Sequence, residues 1–137
     1  MTQIVLDASA ALAFLLAAQS TPAARTFLAE SAEDVFLAPA IFTWEVTNVL
    51  QRHAIRGLSV GAFEQALIEL AELQVAVDPP MLDAEVQILA RDAFSLELSV
   101  FDAAYLKLAI DHGAVLASRD ARLLSVALRH VKCIDLR

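Results

Sequence analysis

Cysteine is almost missing from this chain. Cys133 stands alone among 137 residues, which excludes an intramolecular disulfide and suits a reducing compartment. Its expected role is that of a small apolar residue in a C-terminal strand. Glycine and proline are also scarce, three and four residues respectively. No linker, low-complexity tract or internal repeat interrupts the sequence, so residues 1–137 read as a single domain. Long apolar runs are lacking too. The longest, Ala8 to Ala18 with Ser9 inside it, falls short of the roughly 20 residues that a membrane-spanning helix needs. No Lys or Arg precedes Asp7, which argues against a secretory leader. The expectation is a cytoplasmic protein with no membrane association. Basic residues are the last shortage. Ten Lys and Arg face seventeen Asp and Glu, a net charge of −7. Binding of a polyanion by bulk charge neutralisation is thereby disfavoured. A nucleic acid would have to meet a local basic patch, a bound metal or a basic partner.

Hydrophobic residues are abundant at 58%, which marks a compact globular domain with apolar surface to spare for an oligomer or a complex. Short β-like runs alternate with longer helical ones. Strands are expected at Gln3–Leu6, Val35–Leu37, Val75–Val77, Val115–Ala117 and Lys132–Ile134. Helices are expected at about 8–18, from Pro22, at about 40–56 ended by Gly57, from Ser59, at about 82–94, at about 100–112 ended by Gly113, and at 121–129. About five strands and seven helices in this order imply an α/β fold, with a mainly parallel sheet flanked by helices on both faces. Ligands in such sheets collect beyond the carboxyl ends of the strands. Asp7 and Asp120 lie at that edge.

Four acids stand out: Asp7 and Asp120 at strand–helix junctions, Asp102 at a helix start, and Glu45 within a largely apolar helix. Each has a plain structural reading. Asp7 and Asp120 suit helix N-caps, Asp102 follows Ser99 in a near capping-box pattern, and Glu45 can be a solvated helical residue. Together they form an oxygen-only donor set, which suits Mg²⁺ or Mn²⁺. Zinc is disfavoured, because Cys133 is alone and His53, His112 and His130 show no ligand spacing. Ser9 and Ser118 each sit two residues from an acid, placed to bond a carboxylate or a metal-bound water. Asn48 and Arg52 share a helix face with Glu45.

At these positions the chain resembles the PIN-domain ribonucleases, VapC-type toxins of toxin–antitoxin pairs in particular. The motifs are Ile4-Val5-Leu6-Asp7-Ala8-Ser9, Glu45-Val46-Thr47-Asn48-Val49-Leu50, Leu98-Ser99-Val100-Phe101-Asp102-Ala103-Ala104-Tyr105 and Ser118-Arg119-Asp120. They follow in order across nearly the whole chain. The resemblance implies a PIN-like fold and a Mg²⁺- or Mn²⁺-dependent endoribonuclease. Asp7 and Asp102 would be the principal metal ligands. Asp120 would complete the site directly or through water, and Glu45 would bind a second metal or orient the attacking water. It also implies a homodimer, and a small antitoxin covering the acidic pocket. Arg52, Arg119 and Arg122 are the candidates to guide RNA phosphates, against the plainer reading of solvated surface residues.

Three rivals bear on these motifs. A haloacid-dehalogenase-type phosphotransferase needs a second Asp where this chain has Ser9. A receiver domain wants paired acids near the first strand and a late Lys, where this chain has Ser118-Arg119-Asp120. The third is a non-catalytic interaction module of the same fold, whose acids take a partner's Arg residues.

Overall fold

The structure, a computed structural model, describes residues 1–137. Strand β1 (Gln3–Leu6) is the central strand, and its Ile4, Val5 and Leu6 are buried. It runs parallel to β2 (Val35–Ala38) on one side and β4 (Val115–Ser118) on the other. The two-residue β3 (Ala76–Val77) and β5 (Cys133–Asp135) form the edges, giving the order β3-β2-β1-β4-β5 with every pairing parallel. A strand apolar along its whole length needs cover on both faces, and parallel connections supply it as helices.

The chain first winds outward from β1. Helices α1 (Ala8–Leu15) and α2 (Pro22–Glu30) lead to β2, then α3 (Ile41–Ile55) and α4 (Val60–Glu72) to β3. It next crosses back over α5 (Asp83–Leu96) and α6 (Val100–His112) to β4, and ends through α7 (Ala121–Ala127) at β5. Right-handed crossovers in opposite directions put α1–α4 on one face and α5–α7 on the other. The packing agrees: α1 lies against α2, α3 and α4, while α6 lies against β1, β4 and α5. In α1, Ala10, Ala11 and Ala13 are buried; their small side chains let the helix lie close to its neighbours. One 28-residue core joins the sheet to both helical layers, with a small satellite of Leu89, Ala93 and Ala103 between α5 and α6.

The order of winding reverses at β1. Its carboxyl end and that of β4 therefore form the switch point of the sheet, where helices diverge and leave a crevice. Asp7 and Ser118 sit there, side by side. The backbone N–H of Asp7 donates to the Ala117 carbonyl at 3.3 Å, which carries the β1–β4 pairing up to the acid itself.

Several boundaries differ from the sequence reading. The helix expected to reach Ala18 stops at Leu15, where Leu16 turns extended (φ −117°, ψ 119°) and a 3₁₀ turn follows at Ala17–Gln19. Leu15 and Leu16 both reach the core, and consecutive residues of a continued helix would point some 100° apart. The third strand shrinks to two exposed residues at the sheet edge, between Gln74 at φ 52° and the Pro79-Pro80 pair. The last strand lies one residue later than expected. Helix α5 ends in a left-handed residue that is not glycine, Glu97 at φ 58°. Gly57 (φ 116°) and Gly113 (φ 60°) do terminate α3 and α6, as their freedom at positive φ allows.

Candidate active site

Asp7 is the most buried acid of the molecule, 4% exposed. It caps α1 from an extended conformation (φ −83°, ψ 172°), with Oδ1 accepting from the backbone N–H of Ala10 at 2.8 Å. The Ser9 hydroxyl donates to the same oxygen at 2.7 Å. The Ser118 hydroxyl donates to Oδ2. Both serines are themselves aimed. Ser9 Oγ accepts from the Arg119 N–H at 2.9 Å, and Ser118 Oγ from the Asp120 N–H at 2.8 Å. A hydroxyl that already accepts from a backbone amide has its proton left for the carboxylate. Ser9 and Ser118 stand 3.3 Å apart, so this small network ties the ends of β1 and β4 together.

Three donors do not keep Asp7 acidic. Burial raises its carboxyl from 3.8 to about 6, the serine and Ala10 bonds oppose the rise, and repulsion from Asp102 adds to it. Removal of a carboxylate from water is the dominant effect, and neutral hydrogen bonds offset only part of it.

The other acids meet around Asp102, in the first turn of α6, where Ser99 caps the helix by accepting from the Asp102 N–H at 3.0 Å. Burial also raises the Asp102 carboxyl, and repulsion from Asp120 adds to this; the Ser99 bond and the charge of Arg122 pull the other way. Glu45, half-buried on α3, is raised by burial, lowered by a bond from Tyr105, and raised again by Asp102. That bond runs from the phenol to Oε1 at 2.7 Å. Asp120 caps α7 by accepting from the N–H groups of Arg122 and Leu123 at 2.9 and 3.1 Å. Asp102 is thus the hub through which Asp7, Glu45 and Asp120 feel one another. The fold brings all four acids to one edge, and the capping readings of Asp7 and Asp120 hold as well.

No cation neutralises them. The ion pairs of the molecule are Lys107–Asp111 and Asp135–Arg137, away from these residues. Arg122 is nearby, but its Nε and Nη2 donate to the Glu97 carbonyl at 3.0 and 2.6 Å. Arg119 is half-buried with its Nε unpartnered. Arg52 and Asn48 are exposed on α3 and make no hydrogen bond through their side chains. An uncompensated, all-oxygen donor set is the chemistry of a hard divalent cation site. The side chains do not form a closed cage, however: no three acidic, histidine or cysteine residues are gathered closely enough to hold a metal ion as they stand.

Tyr105 was not singled out from the sequence. It is 1% exposed on α6, and its phenol is held far above its ordinary pKa by burial first, then by Glu45, Asp7 and Asp102. A signal was present: Tyr105 lies three residues after Asp102, which puts both on one helix face.

A doubly covered parallel sheet with serine-braced acids at its switch point defines the class, an α/β domain built to present carboxylates at a strand edge. The sequence matches the PIN domain over residues 4–128, and the chain belongs to that family. Proteins of the family are generally nucleases and generally use divalent metal ions. Among solved structures, PAE2754 from Pyrobaculum aerophilum is similar at 21% identity and a TM-score of 0.70, over 97% of this chain and 90% of that one. FitAcB from Neisseria gonorrhoeae is similar at 16% identity and a TM-score of 0.62, over 96% of each chain. Both likenesses bear on the fold. No curated protein matches the sequence. No helix is long and apolar enough to cross a membrane.

Proposed function

We propose that this protein is a Mg²⁺- or Mn²⁺-dependent endoribonuclease, acting in the cytoplasm as the VapC-type toxin of a toxin–antitoxin pair. The observation that carries the reading is the convergence of Asp7, Glu45, Asp102 and Asp120 at the switch point with none of them in a salt bridge. Asp7 and Asp102 would be the principal ligands, with Asp120 and Glu45 completing the site. When bound there, a divalent cation supplies Lewis-acid stabilisation of a phosphodiester and an acidified water for in-line attack. The chain's own residues do the rest. Ser9, Ser118 and the Ala10 amide fix Asp7, and Tyr105 fixes one oxygen of Glu45. Arg122, already beside Asp102, is the cation best placed to meet a phosphate, while Arg52 offers an exposed charge on α3.

Exposed aromatic and aliphatic side chains support a homodimer and an antitoxin as partners. Trp44 is 81% and Phe94 86% exposed, and Pro79, Pro80, Val100 and Phe101 line an apolar groove.

The test is cleavage of tRNA and rRNA by the purified chain with Mn²⁺, with Mg²⁺ and with chelator, beside Asp7→Asn. Metal-dependent cleavage lost in the variant is the expected result. Equal cleavage by the variant would overturn the assignment. The open spacing of the acids favours a second reading, a non-catalytic module that receives a partner's Arg residues in the pocket. Metal bound without cleavage of any RNA would support that reading instead.

A further inference from the structure

We infer that Tyr105 is the positioning residue for Glu45, and that through it α6 sets the geometry of two acids carried by different helices. The inference rests on the metal-site reading above and assigns a role that reading leaves open. Glu45 projects from the middle of α3 on a side chain with three rotatable bonds, which left free would sample several positions at the edge of solvent. Tyr105 has two such bonds, and its ring is enclosed in the main core, so its hydroxyl is close to a fixed point. The bond at 2.7 Å joins residues sixty positions apart. Oε1 is thereby assigned to the phenol, and Oε2 is the oxygen left for a ligand.

The register along α6 makes the arrangement economical. Asp102 stands at the third position of the helix, held by the Ser99 cap, and Tyr105 follows one turn later on the same face. One rigid element thus presents its own carboxylate and fixes a second from α3. A neutral donor suits this task better than Lys or Arg, because it orients the carboxylate without cancelling its charge. Outer partners of metal ligands typically contribute about 10–100-fold to metal affinity or activity.

The experiment pairs Tyr105→Phe with Glu45→Gln and the double variant. Mn²⁺ affinity is measured by electron paramagnetic resonance of the free ion, and RNA cleavage by kcat and KM on tRNA. Tyr105→Phe keeps the ring in the core and should melt within a few degrees of the parent. Its Mn²⁺ affinity and kcat should each fall about tenfold or more, with KM for RNA nearly unchanged. In the Glu45→Gln background the same change should add little. An unchanged Mn²⁺ affinity and kcat in Tyr105→Phe would overturn the inference while leaving the metal site intact. Equal losses in both backgrounds would show that Tyr105 does not act through Glu45. Failure of the parent protein to bind Mn²⁺ at all would overturn the metal-site reading, and this inference with it.

Discussion

In metal-free protein, Asp7→Asn should turn from neutral or slightly harmful at low pH to stabilising at neutral pH. Burial raises the Asp7 carboxyl from 3.8 to about 6, which corresponds to about 3 kcal/mol against its ionised form in the fold. The native state therefore holds a proton that the unfolded chain has already released across that interval. The contribution of this group is complete below its unfolded value. It is lost as pH rises through about 6, and it stays lost above. Asparagine has no such titration and caps helices about as well as aspartate. It keeps an oxygen for the Ala10 N–H and the Ser9 hydroxyl. What it loses is the acceptor for Ser118, whose hydroxyl must then turn toward Ser9, 3.3 Å away; a rearranged hydrogen bond costs about 1 kcal/mol. The balance is a variant about 1 kcal/mol less stable near pH 4 and about 2 kcal/mol more stable above pH 7. The gain amounts to roughly 7 °C in melting temperature for a domain of this length. Urea unfolding in chelator at several pH values, taken as the difference between variant and parent, isolates Asp7 from the other titrating groups. A difference that is flat with pH, or that grows more unfavourable toward neutrality, refutes the reasoning.

Other perturbations separate structural from ligand roles. Asp102→Asn relieves repulsion at the hub of the acids while retaining the Ser99 cap. The metal-free protein should melt at or above the parent's temperature and bind Mn²⁺ more weakly by calorimetry. Asp120→Ala removes two capping bonds at the start of α7 and should cost about 0.5–2 kcal/mol in urea unfolding. Ser118→Ala removes a fully buried hydroxyl that serves both Asp7 and the Asp120 amide. The loss should be about 1–3 kcal/mol, and nuclear magnetic resonance titration should find the Asp7 carboxyl above its parent value.

Periodicity was enough for the architecture, because β1, β2 and β4 are short apolar runs separated by helices with conventional caps. Thr21 before Pro22, Ser59, Ser99, Gly57 and Gly113 all act where their chemistry suggests. The misplaced ends are those where tertiary packing outweighs local preference. Nothing local stops α1 before Ala18, and only the core's claim on Leu16 does so. The edge strand β3 has both residues exposed, so no burial pattern marks its length. At the site, Asp7, Asp102 and Asp120 were legible singly from their places at a strand end or helix start, and Glu45 from its place within a largely apolar helix. Their mutual arrangement was not, since it depends on the return of the chain from β3 across to β4. Tyr105 shows the same limit: a buried tyrosine on an apolar helix face reads as core until a carboxylate sixty residues earlier is found against its hydroxyl.

Hydroxyls and amides hold these acids where basic side chains would normally be expected, and this choice sets how a metal must compete. A salt-bridged carboxylate is acidic but already neutralised. One held by neutral donors keeps its charge, and burial makes it attract a proton. With Asp7 titrating at about 6, binding of Mn²⁺ must displace that proton below this value and need not do so above it. Affinity should therefore be nearly level above about pH 7 on account of this group. It should fall about tenfold per pH unit once the medium drops well under 6, and more steeply where Glu45 and Asp102, both raised by burial, begin to protonate too. Isothermal calorimetry across that range in two buffers of different ionisation heat counts the protons released. Release of about one proton on binding near pH 5, falling to none near pH 7.5, is the expected outcome. No proton release at the lower pH would mean that Asp7 is already ionised there, and that its serines and helix amide outweigh its burial.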